Sequence, residues 1–230
     1  LYSVSYNPDG TVKEFGPTED GVPARVRRRV IADLDHAYFP TNPVIPNIET
    51  VHDRVTLEVF RGCIRGCRFC QAGFICRPVR EKSPEVLCRQ AKESVDATGY
   101  DEISMCCLSI SDYSHIASFT DGLLGWTDDA RVNISLPSMR ADSFTRELMD
   151  KISSVRTSTL TFAPEAGSPR LRDVINKNIT EEEIMRACGI TFAAGKNQVK
   201  LYFMNGLPHE TDEDIAGIAE LAEHVIDKYY

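Results

Sequence analysis

Short apolar runs alternate with longer amphipathic stretches from Val55 to the end of the chain. Each run has the length of a β-strand and is apolar almost throughout, which is typical of strands that are covered on both faces. The stretches between the runs carry apolar residues at the spacing of helices that bury one face. The predicted strands are VTLEVF at 55–60, EISMCCLSI at 102–110, RVNISL at 131–136, STLTFA at 158–163 and VKLYFM at 199–204.

Local capping signals predict where the helices begin and end. Ser83, followed by Pro84, is a predicted N-cap of a helix that ends at Gly99. Thr180 and Glu183 have the spacing of a capping box at the start of a second helix. The last helix has a predicted core face made of Ile215, Ile218, Ala219 and Ala222.

Five strand–helix units in succession predict an α/β fold with a parallel sheet and right-handed crossovers, either a barrel or a doubly wound sheet. In both architectures the functional site lies in the loops that follow the C-terminal ends of the strands. The residues that carry chemistry are therefore expected at those loops.

Residues 1–50 differ in character from the rest of the chain. Two β-prone runs flank Asn7-Pro8-Asp9-Gly10, a strong turn signal, and predict a hairpin. VRRRVIADL at 26–34 is predicted to form one more strand, and a proline-punctuated segment follows it. We predict that residues 1–50 form a linker with a hairpin and that residues 51–230 form the core domain.

Composition fits a soluble, cytoplasmic protein. The 230 residues are 42% hydrophobic and 26% charged, and no apolar run approaches the roughly 18 residues that span a bilayer. The chain starts at Leu1, and its last helical pattern is still running at Tyr230. We therefore expect it to be a piece of a longer chain, incomplete at the C-terminus.

A net charge of −8 argues against a general nucleic-acid-binding surface, because such binding depends on neutralising phosphates. The cluster RVRRR at 25–29 is the exception, and it is either an edge segment kept soluble by charge or an RNA contact. Eight cysteines in a chain of this size favour reduced thiols over a disulfide framework.

Three of the cysteines, Cys63, Cys67 and Cys70, lie in the sequence RGCIRGCRFC, three residues after the first predicted strand. A structural zinc site needs four ligands, and Cys76 or Cys88 would have to supply the fourth. Buried, unligated thiols are a further alternative. An iron–sulfur cluster with one iron free of protein thiolate fits the spacing best.

The residues between the thiols support a cluster. Arg61, Arg65 and Arg68 are expected to lower the thiol pKa values and to offset the negative charge of a cluster. Gly62 and Gly66 let the backbone fold closely around a bulky inorganic group.

The CxxxCxxC spacing, with aromatic Phe69 before the last cysteine, resembles the signature of the radical S-adenosylmethionine (SAM) superfamily. The resemblance implies that Cys63, Cys67 and Cys70 hold a [4Fe–4S] cluster whose open iron binds the amino and carboxyl groups of SAM. An external electron donor would then drive cleavage of SAM to methionine and a 5′-deoxyadenosyl radical. The implied fold is a partial (β/α)6 TIM-like barrel, here truncated after about five units.

Further residues are assigned to SAM on the same resemblance. It implies that the end of the second strand binds the SAM amino group, that the segment after the fourth strand lines the ribose and carboxylate, and that the turn after the fifth strand packs on the adenine. An arginine after the third strand suits a carboxylate of SAM or substrate. Each segment is also explained by an ordinary turn, cap or ion pair. The predicted cofactor-binding residues are Ser111, Asp112, Arg140, Glu165, Lys177, Gly206 and Pro208.

Several longer segments narrow the resemblance, among them CRFCQAGFICRPVRE, LPSMRADSF and LTFAPEAGSPRLRDVINKNITEEE. Together they are similar to a bacterial family of uncharacterised radical SAM proteins in which a cobalamin-binding domain precedes the barrel. Residues 1–50 would then connect to that domain, and cobalamin-dependent methylation of an unknown substrate would be one outcome. MCCLSISD and AAGKNQVK depart from the family pattern. An iron–sulfur or zinc module that does not cleave SAM, with an RNA contact, is the alternative.

Overall fold

The computed structural model describes residues 1–48, 50–136, 139–153 and 160–230. The chain divides into two compact units, Leu1–Ala32 and Asp33–Tyr230. The strands are β1 Tyr2–Tyr6, β2 Val12–Pro17, β3 Val55–Glu58, β4 Phe60–Arg61, β5 Arg80–Glu81, β6 Glu102–Cys106, β7 Asn133–Ser135, β8 Leu160–Glu165 and β9 Val199–Phe203. The helices are α1 Ala72–Ile75, α2 Pro84–Thr98, α3 Ile116–Ala130, α4 Arg146–Ser153, α5 Pro169–Val174, α6 Glu181–Ala193 and α7 Asp212–Tyr229.

The smaller unit is built on the predicted hairpin. Strands β1 and β2 pair antiparallel, and the Gly10 amide donates to the Asn7 carbonyl at 3.0 Å across the turn. The predicted strand at 26–34 is wrong, because this segment is irregular and residues 26–33 are exposed. Three consecutive arginines leave no alternating apolar face that a sheet partner could bury.

The larger unit contains the five predicted core strands, arranged in two parallel sheets. Strands β3, β6 and β7 form one sheet, with Val55 opposite Ile103 and Ile103 opposite Ile134. Strands β8 and β9 form the other, with Leu160 opposite Val199. Positions 158 and 159 of the fourth predicted strand lie outside the described residues. Parallel pairing through helical crossovers brings the C-terminal ends of the strands to one edge of each sheet.

The predicted helix ends are confirmed. The Ser83 hydroxyl accepts a hydrogen bond from the Val86 amide, and Gly99 ends α2 with a φ of +73°. The Thr180 and Glu183 capping box starts α6. None of the helices in the described ranges is long and apolar enough to cross a membrane.

The predicted core face of α7 is wrong by one position. Ile215 and Ala219 are exposed, and Ile218 and Ala222 are only partly buried. The buried residues are Asp214, Gly217, Leu221 and Val225. Half of the buried face therefore consists of a carboxylate and a glycine, which a hydrophobic pattern does not count.

The core lies between the sheets and the helices. Leu57, Ile103 and Met105 of the first sheet are buried with Leu87 of α2 and Phe162 of β8. A smaller apolar cluster lies beyond the ends of β8 and β9 and consists of Ala166, Leu171, Ile175 and Leu207.

Residues 33–48 belong to the larger of the two compact units. The Asp35 carboxylate accepts a hydrogen bond from the Ser83 amide at 2.7 Å, at the start of α2. The Lys82 ammonium lies 4.5 Å from the ring centroid of Phe39. These contacts attach the proline-rich segment to the core, whereas the assignment of residues 1–50 to a connector after a cobalamin-binding domain stays a prediction.

Candidate functional site

The cysteine loop, residues 62–71, runs from the end of β4 to the start of α1. Gly62 has a φ of +106°, and a Cβ there would lie 2.4 Å from the Cys76 carbonyl oxygen, so a side chain at this position would not fit. Cys67 is buried, and Cys63 and Cys70 are half-buried. The Arg65 amide donates to Cys63 Sγ at 3.3 Å.

Residues 174–176, at the end of α5 and directly after it, hold the cysteine loop in place from a distant part of the sequence. The Arg68 amide donates to the Ile175 carbonyl at 2.8 Å, and its guanidinium donates to the Val174 carbonyl. The Asn176 side-chain amide donates to the Gly66 carbonyl at 2.7 Å. Sequence reasoning missed this anchoring, since contacts separated by more than a hundred residues leave no local signal.

All eight cysteines lie within the described residues and are free thiols. Among those residues no three His, Cys, Asp or Glu side chains converge as the ligands of a single metal ion would. The thiolates of a [4Fe–4S] cluster bind different irons, so a cluster does not need them to meet at one point. The donor set, three free thiols in one loop with an amide donating to sulfur, fits a cluster.

Cys88 does not belong to this loop. It lies in α2 with its thiol donating toward the Phe119 carbonyl of α3, and burial raises the pKa of the Cys88 thiol. A thiol with a raised pKa is a poor metal ligand, because the thiolate is the ligating form. Of the two candidates for a fourth zinc ligand, only half-buried Cys76 remains.

A network of ion pairs connects the cysteine loop to the ends of the neighbouring strands. Arg65 donates from Nε to the Asp112 carboxylate at 3.2 Å, and its Nη1 lies 3.0 Å from Asp142. Arg140 in turn forms a bidentate contact with Asp142, with Nε and Nη2 at 3.0 and 3.1 Å from the two carboxylate oxygens. Neither Arg65 nor Asp142 was predicted as a SAM-binding residue.

The network continues to the ends of β6 and β8. The Arg140 amide donates to the Ser111 hydroxyl at 3.2 Å, and its Nη2 also donates to the Lys177 carbonyl at 3.0 Å. The Lys177 ammonium donates to the Glu165 carboxylate at 3.1 Å. The structure therefore brings five predicted residues into one network: Ser111, Asp112, Arg140, Glu165 and Lys177.

Burial and ion pairing oppose each other at Asp142. Burial alone raises the pKa of a carboxyl group, but the hydrogen bond from Arg140 and the positive charges of Arg140 and Arg65 outweigh it. The pKa of Asp142 therefore lies below its ordinary value of 3.8. The group stays ionised at neutral pH and is held between two guanidinium groups.

The segment after β8 is tightly fixed. Glu165 has a φ of +71°, and Gly167 packs directly against the backbone of α7. The side chain of Arg172 is fully buried and donates to the carbonyl groups of Ile179, Ala166 and Gly167. Arg172 is a further residue that sequence reasoning missed, because a charged residue in a short helix is normally expected on the surface.

The predicted turn after β9 lies beside that segment. Gly206 has a φ of +79°, and its amide donates to the Glu210 carboxylate at 2.7 Å. Leu207 is buried in the cluster that contains Ala166, whereas Pro208 is exposed. The turn therefore adjoins the end of β8 through an apolar contact, apart from the ion-pair network.

A cavity of about 390 Å³ opens beside the cysteine loop. Cys63, Ser109 and Asp112 line it on the polar side, with Glu81 and Ser114. Its apolar walls are Phe60, Ile64, Val79 and Leu108. A cavity with one polar and one apolar side therefore lies next to the Cys63 thiol.

Comparison with known proteins places these features in a family. A protein-family model described as the radical SAM superfamily matches residues 57–222. The chain is 41% identical over 169 residues to the uncharacterised protein MJ0966 of Methanocaldococcus jannaschii, a match covering 74% of this chain and 36% of that protein. It is 24% identical over 205 residues to the threonylcarbamoyladenosine tRNA methylthiotransferase MtaB of Treponema pallidum, covering 87% and 42%. The chain thus spans well under half the length of these relatives.

Two solved structures have similar folds. TsrM from Kitasatospora setae, a radical SAM methyltransferase solved with cobalamin and a [4Fe–4S] cluster, matches with a TM-score of 0.60 at 13% identity, over 75% of this chain and 34% of that one. The cobalamin-dependent SAM radical enzyme OxsB matches with a TM-score of 0.59 at 19% identity, over 95% and 31%. At these identities the likeness concerns the fold, and it confirms the predicted fold class.

Proposed function

This chain belongs to the radical SAM superfamily, and from that membership we propose that Cys63, Cys67 and Cys70 hold a [4Fe–4S] cluster with one iron free of protein thiolate. The observation that carries the proposal is the cysteine loop itself: three free thiols follow the first strand of the parallel sheet, and an amide donates to one sulfur. When bound, the cluster supplies the electron that cleaves SAM into methionine and a 5′-deoxyadenosyl radical.

The ion-pair network supplies the groups that would bind the methionine end of SAM. Asp112 and Ser111 offer acceptors for an ammonium group, and Arg140 offers the paired donors that suit a carboxylate. Glu165 and Lys177 lie one contact further along and would bind the ribose hydroxyls. Arg65 of the cysteine loop contacts Asp112 directly, and it connects through Asp142 to Arg140 and the groups beyond it. These contacts support the assignment, because they fix each group relative to the thiols.

The turn at Gly206 and Pro208 would receive the adenine. Its backbone is fixed by the Glu210 side chain, and Leu207 holds it against the segment after β8. A rigid, partly apolar turn is suited to pack on a flat ring.

The whole protein is proposed to be cytoplasmic, to use an external electron donor and to bind cobalamin in a part that precedes residue 1. The names of TsrM and OxsB support a role for cobalamin, and the former supports methylation as the reaction. The name of MtaB supports an RNA substrate as one class to test.

The proposal is tested by anaerobic reconstitution of the chain with iron and sulfide, reduction with dithionite, and detection of 5′-deoxyadenosine from SAM by mass spectrometry. We expect product from the wild type and from Cys76→Ala, and none from Cys63→Ala. Cys76 is the matched control, because it lies close to the same loop and a zinc site would need it.

Two outcomes contradict the proposal. Bound zinc without acid-labile sulfide, lost in Cys76→Ala, would establish the zinc module. A full complement of iron and sulfide with no 5′-deoxyadenosine would establish a cluster that does not cleave SAM.

A further inference from the structure

The guanidinium that suits a ligand carboxylate is already engaged by a carboxylate of this chain. Arg140 Nε and Nη2 contact both oxygens of Asp142, the planar paired geometry that arginine forms with a free carboxylate. The Arg140 side chain is 9% exposed and the Asp142 side chain 12%. The contact therefore lies in a largely desolvated site, where such pairs are strong.

Asp142 contacts a second cation, Arg65, and can remain paired with it after leaving Arg140. Its carboxylate lies 3.0 Å from Arg65 Nη1, and the Ser143 hydroxyl lies 3.4 Å away. Leaving Arg140 would therefore not strand an unpaired buried charge, which is the usual cost of breaking such a contact.

Arg140 is held in place without Asp142. Its amide donates to the Ser111 hydroxyl and its Nη2 donates to the Lys177 carbonyl. The guanidinium would thus stay at the same position while it exchanged one carboxylate for another.

We propose that Asp142 occupies the position of the ligand carboxylate on Arg140, and that a ligand bearing a carboxylate displaces it onto Arg65. The inference rests on the proposed function, in which the ligand is SAM. Asp142 is then a residue that selects ligands: it keeps the guanidinium paired in the absence of ligand, and it lets only a group able to reproduce the paired contact replace it. A ligand without a carboxylate gains nothing from the exchange.

The alternative is a fixed role, in which Asp142 stays on Arg140 and aims it. The two roles predict opposite changes in ligand affinity when Asp142 is replaced. Removing a competitor strengthens the binding of a carboxylate ligand, whereas removing a support weakens it.

The test measures dissociation constants by isothermal titration calorimetry on the anaerobically reconstituted chain, without turnover. S-adenosylhomocysteine carries the carboxylate, and 5′-methylthioadenosine shares the nucleoside but lacks the carboxylate. We expect Asp142→Asn to bind S-adenosylhomocysteine about tenfold more tightly than the wild type, with 5′-methylthioadenosine unchanged. Equal or weaker binding of S-adenosylhomocysteine would overturn the inference.

Two further variants separate displacement from the general loss of a negative charge. Asp96→Asn removes an exposed carboxylate of α2 that pairs with Lys92 and lies outside the network around Arg140, and it should leave both constants within about twofold of wild type. In the Arg140→Met background, Asp142→Asn should no longer strengthen binding, since the exchanged partner is gone. Strengthening of S-adenosylhomocysteine binding that persists in the Arg140→Met background, or that appears equally in Asp96→Asn, would also overturn the inference.

Failure of the proposed function gives a different result. A wild-type chain that assembles a cluster but binds neither ligand would remove the SAM site and the inference together. If the wild type binds S-adenosylhomocysteine and Asp142→Asn binds it equally or more weakly, the inference alone is overturned. If circular dichroism shows that Asp142→Asn does not fold, Asp142→Ser provides a second test of whether binding is strengthened or weakened.

Discussion

Gly167 is the position where one added carbon is expected to do most damage near the site. An alanine Cβ would lie 2.3 Å from the Ile218 amide nitrogen, 2.5 Å from the Gly217 carbonyl carbon and 2.7 Å from the Asp214 carbonyl oxygen. All three are backbone atoms of α7, so no side-chain rotation relieves the contact. The segment after β8 would have to move away from α7, and Glu165 with it.

The magnitude follows from two opposing effects. Gly167 does not have a positive φ, so alanine restricts the unfolded chain and contributes about 0.4–1 kcal/mol of stability. Overpacking against an immobile backbone costs about 3 kcal/mol, the upper end of the usual range. Gly167→Ala should therefore lower the free energy of unfolding by about 2 kcal/mol, equivalent to about 4–8 °C in Tm for a chain of this size.

Urea denaturation followed by circular dichroism measures the change, with Gly125→Ala as the matched control. Gly125 lies exposed within α3, and a Cβ there meets nothing within 4 Å. That variant should be more stable than wild type by about 0.5–1 kcal/mol, because alanine is the better helix former. If Gly167→Ala were as stable as the wild type, the close contact between the segment after β8 and α7 would be wrong.

Three further outcomes are expected. A hydrogen bond from Arg170 holds the pKa of Asp214 well below 3.8. A carboxyl group with a lowered pKa stabilises the folded state at pH values above its pKa in the unfolded chain, and this stabilisation is lost as the pH falls. In urea titrations, the difference in stability between the wild type and Asp214→Asn should therefore shrink as the pH falls below about 4. Arg172→Met strands buried carbonyl oxygens and should lower the free energy of unfolding by at least about 2 kcal/mol, and a variant as stable as wild type in the same titration would contradict this. Iodoacetamide at about pH 8, followed by peptide mass mapping, should label exposed Cys106 and leave Cys188 unmodified, since burial raises the pKa of Cys188 to about 12; equal labelling of both would contradict the packing of α6.

The parts of the fold that could be predicted from sequence are those with local causes. Strand-length apolar runs mark the five core strands, and Ser83, Gly99 and Thr180 mark helix ends through hydrogen bonds made within a few residues. The position of the cysteine loop also followed, because it comes directly after the first core strand.

The parts that could not be predicted depend on partners distant in the chain. Ile215 was expected in the core, yet Asp214 is buried instead, since its carboxylate accepts hydrogen bonds from Ser168, Arg170 and Thr211. The hydrophobic pattern of α7 does not indicate that those hydrogen-bond donors are present.

The candidate site shows the same division. Arg140 was selected as a group that suits a carboxylate, and the structure contains that contact, but with Asp142 two residues away. The link from Arg65 to Asp112 joins positions 47 residues apart, and its existence follows only from the arrangement of the strands. Residue types were therefore predictable, and their pairing was not.

The Mössbauer spectrum of the chain reconstituted with iron-57, recorded with and without SAM, tests the central claim most directly. Three thiolates leave one iron of a cube without a protein ligand, so about one quarter of the iron should give a distinct signal that shifts when SAM is added. Four equivalent irons that do not respond to SAM, or a chain that binds no iron, would contradict the account.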